Sequence, residues 1–133
     1  MRFFNLNKML ALVATAFCGC TLSAQRNVSE ISVSDYKNKY TNDTTIVVLD
    51  VRTPDEFKTG HLPRAINIDW YDADFGKQVA VIDTSRTIVV YCRSGKRAAN
   101  AIEKMENMGF KHLTNLKGGI QEWIKTDSVV VTP

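Results

Sequence analysis

Two short runs, Ile46-Val47-Val48-Leu49 and Thr87-Ile88-Val89-Val90-Tyr91, constrain this chain more than anything else in it. Each is continuous, β-branched and apolar without polar alternation, the pattern of a strand covered on both faces. Such strands need helical layers above and below, and the intervening segments carry helix signals. Thr53-Pro54-Asp55-Glu56 reads as an N-cap, a proline at the first helical position and acids in the first turn, with Gly60 placed to stop that helix. From Lys96 to Met108, Ala98, Ala101, Ile102, Met105 and Met108 fall at three- and four-residue steps, with Gly109 at the C-terminal stop. Ser34 is expected to cap a short helix through Tyr40, and residues 72–81 carry a weak helical signal. Ala65–Ile68 and His112–Leu116 read as further strands, and Ile120–Ile124 as a last helix after a turn at Gly118-Gly119. Strands alternating with helices predict an α/β domain with a parallel sheet and right-handed crossovers. Ligands of such sheets bind at the C-terminal strand ends, and Cys92 stands there, directly after the second apolar strand.

The first two dozen residues follow a different logic. Arg2 and Lys8 precede an apolar run from Met9 to Phe17, small residues follow, and the chain turns polar at Gln25-Arg26-Asn27. This is the pattern of a secretory signal peptide, and the run is short of the roughly 20 apolar residues that span a bilayer. Residues 1–24 are therefore expected to direct export to the periplasm and to be removed, with residues 25–133 forming one domain. Ala24 favours cleavage before Gln25; the alternative is a lipoprotein signal ending in a lipid-anchored Cys20. Removing residues 1–24 takes away two of the 17 basic residues and none of the 14 acidic ones, so net charge falls from +3 to +1. A near-neutral chain with no basic run is not expected to bind nucleic acid or an anionic membrane surface.

Cys18 and Cys20 lie within or beside the signal, which leaves Cys92 alone in the mature chain, unable to form an internal disulfide. Its neighbours distinguish a reactive thiol from a core filler. In Cys92-Arg93-Ser94-Gly95-Lys96-Arg97 a glycine turn leads into a helix, whose first N–H groups lack intrahelical partners and form an anion cradle. Three cationic side chains surround the same point. A thiol at a helix N-terminus beside Lys and Arg is expected to ionise readily. The loop thus offers a nucleophile and an anion receptor together, suited to thiosulfate, phosphate or arsenate.

These residues resemble the active loop of single-domain rhodaneses. Leu49-Asp50-Val51-Arg52-Thr53-Pro54-Asp55-Glu56-Phe57 resembles the family's first motif, Gly60-His61-Leu62-Pro63-Arg64-Ala65-Ile66-Asn67-Ile68 the stretch that follows, and Gly118-Gly119-Ile120 with Trp123 its closing motif. The resemblance covers residues 30–125. It implies a five-stranded parallel sheet flanked by helices, no metal or organic cofactor, and a ping-pong sulfur transfer through a persulfide on Cys92. The partners it implies are a small anionic sulfur donor and a thiol or cyanide acceptor, with a sulfur-acceptor protein as a further option. Arg93, Lys96 and Arg97 would draw in the donor, the N–H groups from Arg93 through Arg97 would hold the persulfide, and Ser94 would donate to its outer sulfur.

Loop length separates the neighbouring chemistries. The family's sulfurtransferases run six residues from cysteine to the end of the loop, and its phosphatase and arsenate-reductase relatives seven. Here the closing arginine is Arg97, and position 98 is alanine. The charged loop also resembles thiosulfate users more than mercaptopyruvate users. A persulfide carrier or redox-partner module without free turnover remains the alternative; a non-catalytic interaction module would need neither the cysteine nor the charges. Asp50 and Arg52 are expected to form a structural ion pair, His61 to be structural, His112 to be exposed and Trp123 to be buried. Arg64 stands where similar motifs often have glycine, so a positive φ there would cost about 1 kcal/mol.

Overall fold

The computed structural model describes residues 28–126 and 128–133, so the expected signal segment, residues 1–24, lies outside the described residues. The chain runs β1 (Glu30–Ile31), α1 (Val33–Tyr40), β2 (Val47–Asp50), α2 (Pro54–Lys58), β3 (Ala65–Asn67), α3 (Phe75–Val79), β4 (Thr87–Tyr91), α4 (Lys96–Asn107), β5 (His112–Leu116) and α5 (Gly119–Lys125). The five strands form one parallel sheet in the order β1-β5-β4-β2-β3. The two apolar runs pair with each other at its centre, with Leu49 beside Val90 and Asp50 beside Tyr91.

Strand alternation distributes the core over two faces. Leu49, Val51, Ile88 and Val90 pack with Ala98, Ala101, Ile102 and Met105 of α4 and Phe75 and Val79 of α3. Val48, Val89 and Tyr91 pack on the opposite face with Tyr36 of α1 and Ile120 and Trp123 of α5. Cys92 continues the alternation of β4 and is buried with the α4 layer, which sets its sulfur under the start of α4.

Local chemistry explains most boundaries and three departures from expectation. Thr53 and Glu56 form a reciprocal capping box that starts α2. α1 is capped by Ser32 rather than Ser34, because the Ser32 hydroxyl accepts from the Asp35 N–H. α3 is confined to Phe75–Val79, since the Asp72 carboxylate accepts from the Asp74 N–H and holds a turn before it. β1 is two residues long and has no periodicity to read; its pairing with β5 defines it.

Arg64 does adopt φ 63°. Its guanidinium compensates by donating to the Asp43 carbonyl at 2.8 Å and the Tyr40 carbonyl at 3.1 Å, which satisfies backbone oxygens at and beyond the end of α1. Arg64→Ala keeps the strained φ and loses those bonds, whereas Arg64→Gly loses the bonds but not the conformational fit. Urea unfolding should therefore rank Arg64→Ala as the least stable, with Arg64→Gly recovering about 1 kcal/mol relative to it. An alanine variant as stable as the glycine variant would show that the backbone carries no strain there.

Candidate active site

The turn between β4 and α4 is shaped by two contacts from outside it. The carbonyl oxygens of Cys92 and Arg93 accept hydrogen bonds from the N–H groups of Ile120 and Gln121, at 3.0 and 3.2 Å, at the start of α5. A planar peptide whose carbonyl faces one way presents its N–H the other way, so these bonds turn the loop's amides away from α5. The approach is close enough to require glycine at position 119, which has φ 57°; a Cβ there would fall against the Cys92 carbonyl oxygen and 2.6 Å from that of Arg93. From the other side, the Asn115 amide on β5 donates to the Gly95 carbonyl at 3.0 Å. Asn115 is buried, and its Oδ1 is the one buried side-chain acceptor without a partner among the described residues.

Within this frame the N–H of Gly95 donates to Cys92 Sγ at 3.0 Å. Gly95 is the N-cap of α4 at φ 114°, and having no side chain it leaves the first turn without a side-chain cap. The sulfur therefore meets one backbone donor, the Gly95 N–H, and the positive end of a twelve-residue helix. Cys92 is only 1 % exposed, so a reactant must deliver a slim terminal atom to it.

The three cations have separate situations. Arg93 and Lys96 are exposed on the loop. Arg97 is not a free charge: its guanidinium makes a bidentate ion pair with Glu56 at 2.7 and 2.8 Å and lies 5.6 Å from the centre of the Tyr71 ring. Of the three cations expected to draw in an anion, Arg93 and Lys96 are thus exposed, while Arg97 is ion-paired with Glu56. Ser94 is exposed, on the side facing β1 and α5.

Glu56 is the residue the sequence reading missed. It reads locally as a first-turn acid of α2, and it does accept from the Thr53 N–H and hydroxyl, both at 3.0 Å. The same carboxylate also grips Arg97, 41 residues away. The Arg97 hydrogen bonds, helped by Thr53, hold Glu56 at about 2 against burial, which acts the other way. Asn115 was likewise legible only as a strand residue.

Asp50 and Arg52 form the expected structural pair and stay out of the loop. Both are buried, with Nη2 of Arg52 2.7 Å from the Asp50 carboxylate and 2.7 Å from the Gly60 carbonyl. The pair thereby ties the turn before α2 to the turn after it. Burial, and then the Asp50 charge, push the neighbouring Tyr91 hydroxyl well above its ordinary range, and it accepts from the Leu62 N–H. His61 stacks on Phe57 and sits in a backbone bridge with Val131. His112 is exposed, and Trp123 is buried. Among the described residues, no three His, Cys, Asp or Glu side chains are grouped to hold a metal ion. No helix of the described residues is long and apolar enough to cross a membrane.

The family model for the rhodanese-like domain matches residues 32–126. Over 119 residues the chain is 28 % identical to a thiosulfate:glutathione sulfurtransferase of Saccharomyces cerevisiae, covering 78 % of this chain and 86 % of that one. It is 29 % identical over 97 residues to a candidate sulfur carrier protein of Bacillus subtilis, covering 73 % of this chain and spanning about half, 51 %, of that relative's length. Among solved structures, a rhodanese-related protein from Thermoplasma volcanium superposes with a TM-score of 0.69 at 28 % identity, covering 79 % of this chain and 99 % of that one.

The Glu56–Arg97 pair has a pH signature. Glu56 ordinarily titrates near 4.5 and is held at about 2 in the folded chain. A lowered carboxylate stabilises the fold fully above its unfolded value and loses that contribution as pH falls through the folded one. The difference in unfolding midpoint between wild type and Glu56→Gln should therefore be steady above pH 4.5 and shrink towards pH 2. A difference that does not change with pH would mean that the ion pair contributes nothing.

Proposed function

Because the chain belongs to the rhodanese-like domain family, we propose that it moves sulfane sulfur from thiosulfate, or a similarly small anionic donor, through a persulfide on Cys92 to a thiol or cyanide. The observation that carries this reading is the Gly95 N–H at 3.0 Å from a buried Cys92 Sγ, on a loop that closes at Arg97. The similarity to a relative named for thiosulfate and glutathione supports the choice of donor and of a thiol acceptor.

In the first half-reaction the Cys92 thiolate attacks the outer sulfur of thiosulfate. A Sγ–S bond forms, the donor's S–S bond breaks, and sulfite leaves with the bonding electrons. Arg93 and Lys96 raise the local concentration of the dianion, an effect that salt should screen. The loop's backbone donors replace the solvation that the buried persulfide loses. In the second half-reaction an acceptor attacks the outer sulfur and Cys92 leaves as thiolate. No step uses a cofactor.

Similarity to a candidate sulfur carrier favours a second reading, in which Cys92 takes up sulfur and passes it only to a dedicated protein. Intact mass after incubation with thiosulfate, followed by thiocyanate release on adding cyanide, separates the two: uptake without release is the carrier's result. Cys92→Ser should abolish both uptake and release while thermal unfolding changes little. Full activity in that variant would remove the nucleophile assignment.

Loop length bears on the reaction class. All the competing substrates are anions, so charge does not discriminate among them, but geometry does. Donors act strongly only at about 2.7–3.1 Å from the charge they stabilise. A six-residue loop over a buried sulfur suits one terminal sulfur atom better than a phosphate tetrahedron. Hydrolysis of p-nitrophenyl phosphate by the wild-type protein should be negligible beside sulfur transfer. Efficient hydrolysis without sulfur uptake from thiosulfate would leave only the fold standing.

A further inference from the structure

Asn115 stands out among the buried residues because the core has no need of it. It occupies an interior position of β5, two residues after Leu113, and so lies on the α4 side of the sheet with Val90 and Cys92. Asparagine is disfavoured in strands, and a buried amide costs free energy unless its polar atoms find partners. Here Nδ2 donates to the Gly95 carbonyl at 3.0 Å, while Oδ1 has no protein partner among the described residues. Turning the amide over would set Oδ1 against that carbonyl, two acceptors without a proton between them. The contact itself thus fixes which end is left over. An apolar side chain would fill this place and leave no acceptor unpaired. Positions that break a local rule without a local gain are expected to be functional.

The Asn115 donor links two layers. Cys92 belongs to the sheet: it follows β4 directly, and β4 pairs with β5 so that Val90 lies beside Asn115. The group that donates to its sulfur belongs to the helix layer, because Gly95 is the N-cap of α4. The 3.0 Å between sulfur and donor therefore depends on how the start of α4 is held against the sheet. The Gly95 carbonyl also accepts from the Ala99 N–H at 3.0 Å, but that bond fixes Gly95 only to its own helix. Asn115 ties it to the sheet. Gly95 is then held at both polar groups, its N–H on Cys92 Sγ and its carbonyl on β5. At φ 114°, and with the conformational freedom of glycine, Gly95 is the residue of the loop that most needs such a hold.

We propose that Asn115 is a positioning residue for sulfur transfer: through the Gly95 carbonyl it keeps the Gly95 N–H on Cys92 Sγ. The role rests on the persulfide reading above. In the first half-reaction Sγ spends its electron pair on the new S–S bond. When the acceptor takes the outer sulfur, the pair of the Sγ–S bond returns to Sγ, where the Gly95 N–H meets it. A donor fixed beforehand costs no reorganisation at that moment. Asn115 exchanges no proton itself and acts only through Gly95.

Asn115→Leu keeps the bulk of the side chain and removes both the donor and the unpaired acceptor, so it separates packing from positioning. The variant should unfold at the wild-type temperature or above it. In single-turnover loading from thiosulfate, followed by intact mass, its maximal rate should fall roughly three- to ten-fold, the scale of one net hydrogen bond. The thiosulfate concentration that gives half the maximal rate should stay the same, because Arg93 and Lys96 are untouched. The Gly95 amide proton resonance should move. Asn115→Val, a strand former that also lacks the donor, should show the same loss of rate. A wild-type maximal rate in either folded variant, or an unmoved Gly95 resonance, would overturn the positioning role. Loss of folding in both variants would overturn it too, since Asn115 would then be structural. Absence of sulfur uptake by wild-type Cys92 is a different failure, which would overturn the transfer reading and the role of Asn115 together.

Discussion

The site depends on a pair of backbone hydrogen bonds. While the Cys92 and Arg93 carbonyls are held by the Ile120 and Gln121 N–H groups of α5, the Gly95 N–H stays turned towards the sulfur. Released, those carbonyls would need other partners, and the peptide planes would turn to find them. The contact is possible because Gly119 has no side chain at the point where α5 meets the loop. Chain connectivity makes the arrangement compact: β5 runs beside β4, so the helix that follows β5 begins level with the turn that follows β4.

A second support approaches from β2. The buried Asp50–Arg52 pair is weak evidence for net stability, since desolvation offsets much of the attraction between two buried charges. Its consequence is positional. By joining the Asp50 carboxylate to the Gly60 carbonyl, Arg52 holds both ends of the short α2, which buries no side chain of its own. α2 then presents Glu56 at a fixed place, and Glu56 takes Arg97 out of the pool of free cations. The loop's positive field is therefore lopsided: Arg93 and Lys96 face solvent, while Arg97 is walled in by Glu56 and Tyr71.

How far the sequence can be read tracks the range of the interactions. The central strands, the capping box at Thr53, the apolar face of α4 from Ala98 to Met105 and the glycine stops are consequences of neighbours a few residues apart, and they stand where the sequence puts them; Met108, read as part of that face, is the exposed C-cap of α4. Ser34 misled because two serines near the start of α1 were eligible caps, and only Ser32 has the geometry. β1 escaped notice because two residues carry no period; they become a strand by lying beside Asn115 and Leu116. Glu56 and Asn115 escaped for the same reason, as each acts on the loop across a large sequence separation.

The sequence by itself determined the α/β class, the position of Cys92 at a C-terminal strand end and the six-residue loop around it. Those features follow from periodicity, turn chemistry and covalent order. Tertiary structure alone decided which cations remain available, which carbonyls are tied back and where a groove opens beside Ser94. The physical reason is that charge and hydrogen-bonding capacity are written locally, but whether a group is already satisfied depends on what the fold sets against it. Arg97 reads as a free cation until the fold sets Glu56, 41 residues away, at 2.7 Å from it.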